Sequence, residues 1–168
     1  MEQIIRTLIE LIHSAMPQLE LVDEDYGQLE AIDKNNVDTY PFVAPAVLID
    51  TPETSWTDTT DGAQKGTCTV RVRLILDCYD DTHATSGTLD RVAGREQMRH
   101  ELHKLLQGFR PDADGALVRT QSRFYTGNHG FKVYEQTYTT TTSEQVADAP
   151  AVATAKPVVH VRMADIRR

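Results

Sequence analysis

Apolar and polar residues alternate from Thr67 to Tyr79 with one exception. Cys68, Val70, Val72, Leu74, Leu76 and Cys78 fall on one side, and Thr67, Thr69, Arg71, Arg73, Asp77 and Tyr79 on the other; Ile75 alone breaks the rule. Successive side chains of an extended chain point to opposite faces. The pattern therefore predicts a strand with one dry face and one wet or partner-facing face. Its length would be roughly 40 Å, twice that of an ordinary strand, enough to organise a sheet or to run beyond its own domain.

Elsewhere the period changes. Ile4, Ile5, Leu8, Ile9, Ile12, Ala15 and Met16 recur at helical spacing, which predicts an amphipathic helix over Met1–Met16, closed by Pro17. Gln18–Val22 reads as a short edge strand and the acidic stretch Asp23–Tyr40 as a loop. Pro41–Asp50 reads as a second strand whose prolines place its first half at an edge or bulge. Thr51–Gly66, which holds the only tryptophan, Trp56, reads as a long polar loop. Trp56 is either a contact anchor or a ring folded back on its own core.

After a turn at Asp80–Gly87, a helix is expected over Leu89–Gln107, with Thr88 or Ser86 as cap and Gly108 as left-handed stop. Its buried stripe would be Leu89, Val92, Met98, Leu102, Leu105 and Leu106, then Phe109. A hairpin follows, with strands Ala116–Tyr125 and Phe131–Thr142 about the loop Thr126–Gly130. The threonine-rich end of its second strand is polar on both faces, the mark of a strand that lies on a surface or pairs with another chain. Ser143–Lys156 reads as a linker, and Pro157–Met163, with Val159 and Val161 on one face, as a last strand. Such a strand either docks on a neighbour by strand addition or stays a disordered tail.

Composition narrows the class. The 168 residues fit one domain with ordinary hydrophobic and charged content. The apolar runs fall short of the ~20 residues of a membrane helix, and the first residues lack the cleavage site of a signal peptide. Cys68 and Cys78 share one face of one strand, roughly 33 Å apart, and cannot bridge each other; they read as small core residues in a reducing compartment. Residues 1–61 hold thirteen acids against two bases, and residues 62–168 twelve against fifteen, within a formal net charge of −8. Net negative charge argues against sequence-specific DNA binding. The asymmetry is either a solvated acidic segment or the acidic side of a subunit that meets a basic neighbour.

No catalytic signature stands out. His100 and His103 share a helix face, and Cys78, Asp80, Asp81 and His83 precede that helix, but none has the spacing of a zinc site, and solvated histidines account for them. The chain has no nucleophile elbow and no glycine-rich phosphate loop. Arg71, Arg73, Arg119, Arg123 and Lys132, with Phe124, Tyr125 and Tyr134, suggest a basic sheet face, suited to nucleic acid or to the acidic loops of a neighbouring subunit.

The order of elements is similar to that of the tail terminator (tail-completion) and related head–tail joining proteins of tailed bacteriophages. The stretches that carry the likeness are MEQIIRTLIELIHSAMP, PFVAPAVLID, GTCTVRVRLILDCYDD, LDRVAGREQMRHELHKLLQGF and the hairpin Ala116–Thr142. The fold expected is a single α+β domain over residues 1–142. It has a mainly antiparallel sheet with a long central strand, packed against an N-terminal and a central helix, and residues 143–168 form an extended C-terminal arm or tail.

The resemblance implies a structural virion protein in the tail or neck, assembled in the host cytoplasm. It would form a homo-oligomeric ring, often a hexamer, that terminates the tail tube and joins it to the head. No catalysis and no cofactor or metal are implied. The partners implied are further copies of itself, the tail tube protein and the head-completion or connector protein. A neck adaptor, or an interaction module without catalysis, is the other function class. The interface residues expected on this reading are Trp56, Arg71, Arg73, Asn128, His129, Val159 and Val161.

Overall fold

The structure, a computed structural model, describes residues 2–32, 42–59, 62–112, 114–127 and 130–145. Three helices and five strands follow one another among them: α1 (Glu2–Ala15), β1 (Leu21–Glu24), α2 (Gln28–Ile32), β2 (Ala46–Asp58), β3 (Ala63–Asp77), α3 (Asp90–Leu106), β4 (Val118–Thr126) and β5 (Phe131–Gln145). The strands make one sheet in the order β1-β2-β3-β5-β4. Only the β1–β2 pair is parallel. The expected α+β fold with a long central strand is what forms.

β3 is fifteen residues long and sits in the middle of the sheet, paired along its whole length with β5. Its dry face is the expected one. Cys68, Val70, Val72, Leu74 and Leu76 join Ile4, Leu8 and Ile12 of α1 and Leu102 and Leu106 of α3 in the main core. Ile75 has a reason of its own: it points to the opposite face, into a second cluster with Leu29 of α2, Ala46, Leu48 and Val133. Apolar area is thus removed from water on both sides of the strand's C-terminal half.

Three expectations about the backbone are corrected. Thr51–Gly66 is not a long loop. β2 runs on to Asp58 and turns back through Gly62 into β3, so Thr54, Trp56 and Asp58 pair with Cys68, Gly66 and Gln64. Both faces of this section are polar, so it lacks the apolar alternation that betrays a strand; ladder hydrogen bonds hold it instead. Pro52 lies where the register shifts between Asp50 and Glu53, a place where a missing N–H is tolerated. Asp23–Tyr40 is not all loop either: Asp23 and Glu24 belong to β1 and Gln28–Ile32 forms α2, while residues 33–41 lie outside the described set.

The threonine-rich end of β5 is the third correction. It is no surface strand: it pairs with β3 as far as Gln145, and Thr140 and Thr142 are buried. β4 pairs with it as far as Thr139. Beyond that the segment before β4 takes over: Thr141 donates to the Asp114 carbonyl and Thr142 to the Asp112 carboxylate, at 3.2 and 2.9 Å.

α3 also departs from expectation. Leu89 and Val92 are exposed; the helix meets the core through Leu102 and Leu106, with Met98 and Leu105 half-buried beside them. Neither Thr88 nor Ser86 caps it. Leu89 holds the cap position without a side-chain bond, and the Thr88 hydroxyl is turned to the Asp81 carbonyl. The ion pair of Arg91 with Asp80 ties the first turn to the chain leaving β3. Gly108 has the expected left-handed backbone, φ 83°.

Candidate functional site

The two arginines of β3 are held by the chain's own acids. Arg71 meets Asp50 of β2 at 2.5 Å. Arg73 reaches Asp25, just past β1, and Glu30 of α2, each at 2.5 Å. Burial disfavours the Arg73 charge, but hydrogen bonds to Glu30 and Tyr125 and the negative charge of Asp25 prevail, and its pKa lies above the ordinary arginine value. The Arg73 hydrogen bond in turn lowers the Glu30 pKa, against the opposing effect of burial. The acidic N-terminal part thus folds back on the basic strand within one subunit.

No single basic sheet face forms. Residues paired across a ladder share a face, so Arg123, opposite Glu135, lies on the side of Arg71 and Arg73, while Arg119, opposite Tyr138, lies on the helix side. Arg123 makes two bonds to Glu135, at 2.8 and 3.0 Å, and lies over the Tyr125 ring at 5.4 Å. Phe124 and Tyr134 stack at 6.0 Å on the helix side, with Phe124 exposed.

Trp56 lies on the helix side of the distal β2–β3 hairpin. Its ring covers Gly66, where an added Cβ would come within 2.9 Å of two ring carbons, yet 38% of the residue stays exposed. It therefore packs on its own sheet and also presents a face to solvent. Asn128, His129, Val159 and Val161 lie outside the described residues.

A cleft of about 120 Å³ opens between α3 and the β4–β5 edge, lined by Arg99, Arg119, Ser122, Phe124, Tyr134 and Gln136, with Arg123 and Glu135 completing the wall. Beside it runs a chain of polar groups. The Tyr138 hydroxyl donates to Gln136 Oε1 at 2.7 Å and meets His103 Nδ1 at 3.0 Å, and Arg119 donates to the same Gln136 oxygen at 3.3 Å. Burial raises the Tyr138 pKa, with Arg119 opposing. Burial, with Arg119, His100 and Arg99 nearby, lowers that of His103. Gln136 is 1% exposed, and among the described residues its Nε2 finds no hydrogen-bond partner.

Neither Gln136 nor Tyr138 stands out in the sequence as a site residue. The signal available was their period-two spacing with Tyr134 and Thr140, which places all four on the helix side of β5.

His83 has a local role. His83 Nε2 is 3.1 Å from Asp81, and its Nδ1 accepts from the Thr85 N–H. Among the described residues no three histidine, cysteine or carboxylate side chains gather as a metal site. Cys68 is buried, which raises its thiol pKa and disfavours the reactive thiolate. No described helix is long and apolar enough to cross a membrane. No protein-family model matches this chain, and a search of curated proteins finds no match either.

Proposed function

We propose that this protein is a structural subunit of a tailed-phage virion, forming a homo-oligomeric ring that terminates the tail tube and joins it to the head or neck. The observation that carries the reading is the distal part of the sheet. β2, β3 and β5 run on together past the core to Asp58, Ala63 and Gln145, and Pro52, Glu53 and Ser55–Asp58 of that section are exposed. Such an extension adds little to the apolar core. It does add a stiff polar ladder with an aromatic anchor, Trp56, which is what a subunit needs to grip a neighbour.

The test is sedimentation velocity and negative-stain microscopy of the full chain over a hundredfold concentration range, alone and with a tail tube protein. A closed ring of fixed subunit number is expected. A chain that stays monomeric under all of these conditions would overturn the proposal.

A further inference from the structure

We infer that the recess where the first half of α3 faces the end of β3 and the entry to β2 is a binding site for a carboxylate, taken by Arg95. Arg95 belongs to the stripe of α3 that faces the sheet, at helical spacing from Met98, Leu102 and Leu106, which pack on the main core. That position suits an apolar residue, yet it holds a guanidinium only 8% exposed. Among the described residues Arg95 makes no hydrogen bond and no ion pair. A buried charge without a partner is unfavourable, so this one marks a place for an acceptor from outside the described fold.

The recess is open to these donors. Arg95 shares its wall with Arg91, Gly94, Met98, Pro45 and Leu76, and Asp77 and Asp80 complete it. Among the described residues, the buried side-chain atoms sealed from water without a partner belong to Asp25, Arg71, Arg73, Gln136 and Thr140, not to Arg95. Its nitrogens are therefore within reach of a ligand. Space adjoins them, since a Cβ added at Gly94 would meet nothing within 4 Å. The volume is about 340 Å³, within the range of small-molecule sites.

Pairing and shape select the ligand. Both acids of the wall lie with Arg91: Asp80 is its ion-pair partner, and the negative charge of Asp77 acts on it too. The Asp77 carboxylate also accepts the Tyr79 N–H at 3.2 Å. Two arginines and two aspartates leave the wall neutral, which disfavours a dianion, while Arg95 is left without an acid. One free guanidinium matches one planar monoanion through two parallel N–H donors. Pro45, Leu76 and Met98 give the carbons behind the carboxylate an apolar wall.

The carboxylate can come from a free small acid or from an acidic side chain of a second copy of this chain, independently of the ring reading. The probe is the melting temperature of the full-length protein with sodium acetate or sodium valerate, against chloride, sulfate and phosphate at matched ionic strength. A ligand that binds only the folded chain raises it. A rise of about 3 °C or more with valerate, and a smaller one with acetate, is expected. The rise should vanish in Arg95→Met, and in Gly94→Leu, whose side chain starts in the open space of the recess. Without ligand, Arg95→Met should melt no lower than the parent chain, because it restores the apolar stripe.

A melting temperature that climbs with protein concentration in the parent, not in Arg95→Met, and loses that dependence in valerate assigns the carboxylate to a second copy. A rise seen only on adding acid assigns it to a free ligand. No response to carboxylate or concentration, an equal response to sulfate and phosphate, or a response unchanged in both variants would overturn the inference. So would an Arg95→Met chain that melts well below the parent, since Arg95 would then be a structural group.

Discussion

Arg73 and Asp25 stand 48 positions apart in the chain and meet at 2.5 Å, with side chains only 6% and 4% exposed. The pair joins the central strand to the segment after β1, and Glu30 adds a second carboxylate from α2. Taking two charges out of water is costly, so this cluster need not stabilise the fold more than apolar residues of the same volume would. Removing one member is another matter, because the other is left buried and unpaired. Arg73→Met is expected to cost about 3–5 kcal/mol, read as a lowered urea midpoint with an unchanged slope. A loss under about 1 kcal/mol would show that water reaches Asp25.

Glu30 makes the same cluster sensitive to acid. Its folded pKa lies below the ordinary 4.5, first because Arg73 bonds its charged form. The unfolded chain therefore takes up the proton first as pH falls. The stabilisation is complete above about pH 4.5 and is lost as pH drops through the folded value. Melting temperature measured from pH 7 down to 3 should fall less steeply in Glu30→Gln than in the parent chain. Identical slopes would contradict the assignment.

His103 should titrate low. Burial is the main cause, and Arg119, His100 and Arg99 oppose its positive charge as well. Below the ordinary value of 6.5 the unfolded chain holds a proton that the folded chain lacks, so stability falls as pH drops from 6.5 through the folded value. Proton NMR of the imidazole should give a midpoint below 6.5, and a midpoint at or above 6.5 would refute it. Tyr138→Phe removes the hydroxyl that His103 Nδ1 meets and is expected to change that midpoint.

Two glycines should differ in their tolerance of a methyl group. At Gly66 the added Cβ would meet Thr54 Cγ2 at 2.8 Å and the Trp56 ring at 2.9 Å, side chains that can shift. At Gly115 it would meet the Thr141 backbone nitrogen at 2.5 Å, and β5 is held in its ladder. Gly115→Ala should therefore cost more than Gly66→Ala, within the roughly 1–3 kcal/mol of overpacked sites. Thermal melts of the two variants, made side by side, decide the order. Gly66→Ala should in addition shift Trp56 fluorescence to the red as the ring is lifted towards water.

Trp56→Ala is the matching test of the proposed assembly. The ring is partly exposed on a peripheral hairpin, so stability should change by about 1 kcal/mol or less while ring formation weakens at least tenfold. Light scattering across a dilution series reads both partners of the equilibrium. Assembly equal to that of the parent chain would remove Trp56 from the interface.

The main sheet and two of the helices were legible because burial left its period in the sequence. Cys68, Val70, Val72 and Leu74 face one core, and even the exception, Ile75, marked a second one. Thr51–Asp58 was misread because a strand with polar residues on both faces carries no such period. α2 spans only five residues, too few for helical spacing to show. Leu89 and Val92 fit a helical stripe that the sheet does not reach. The acids of Arg73 and the Arg119–Gln136 contact depend on which strands become neighbours, and the order β1-β2-β3-β5-β4 is not written in local pattern.

That strand order also sets a timetable. β3 ends at Asp77, yet the strand that covers its second edge begins only at Phe131 and is complete at Gln145. Through all the intervening synthesis the central strand, with its apolar C-terminal half, offers an open ladder of N–H and C=O groups. Contacts so distant along the chain form slowly. A nascent chain stopped within β5 would keep that edge sticky. Among the described residues the last strand made is the one that turns an aggregation-prone sheet into a closed one, and loss of β5 should cost solubility before anything else.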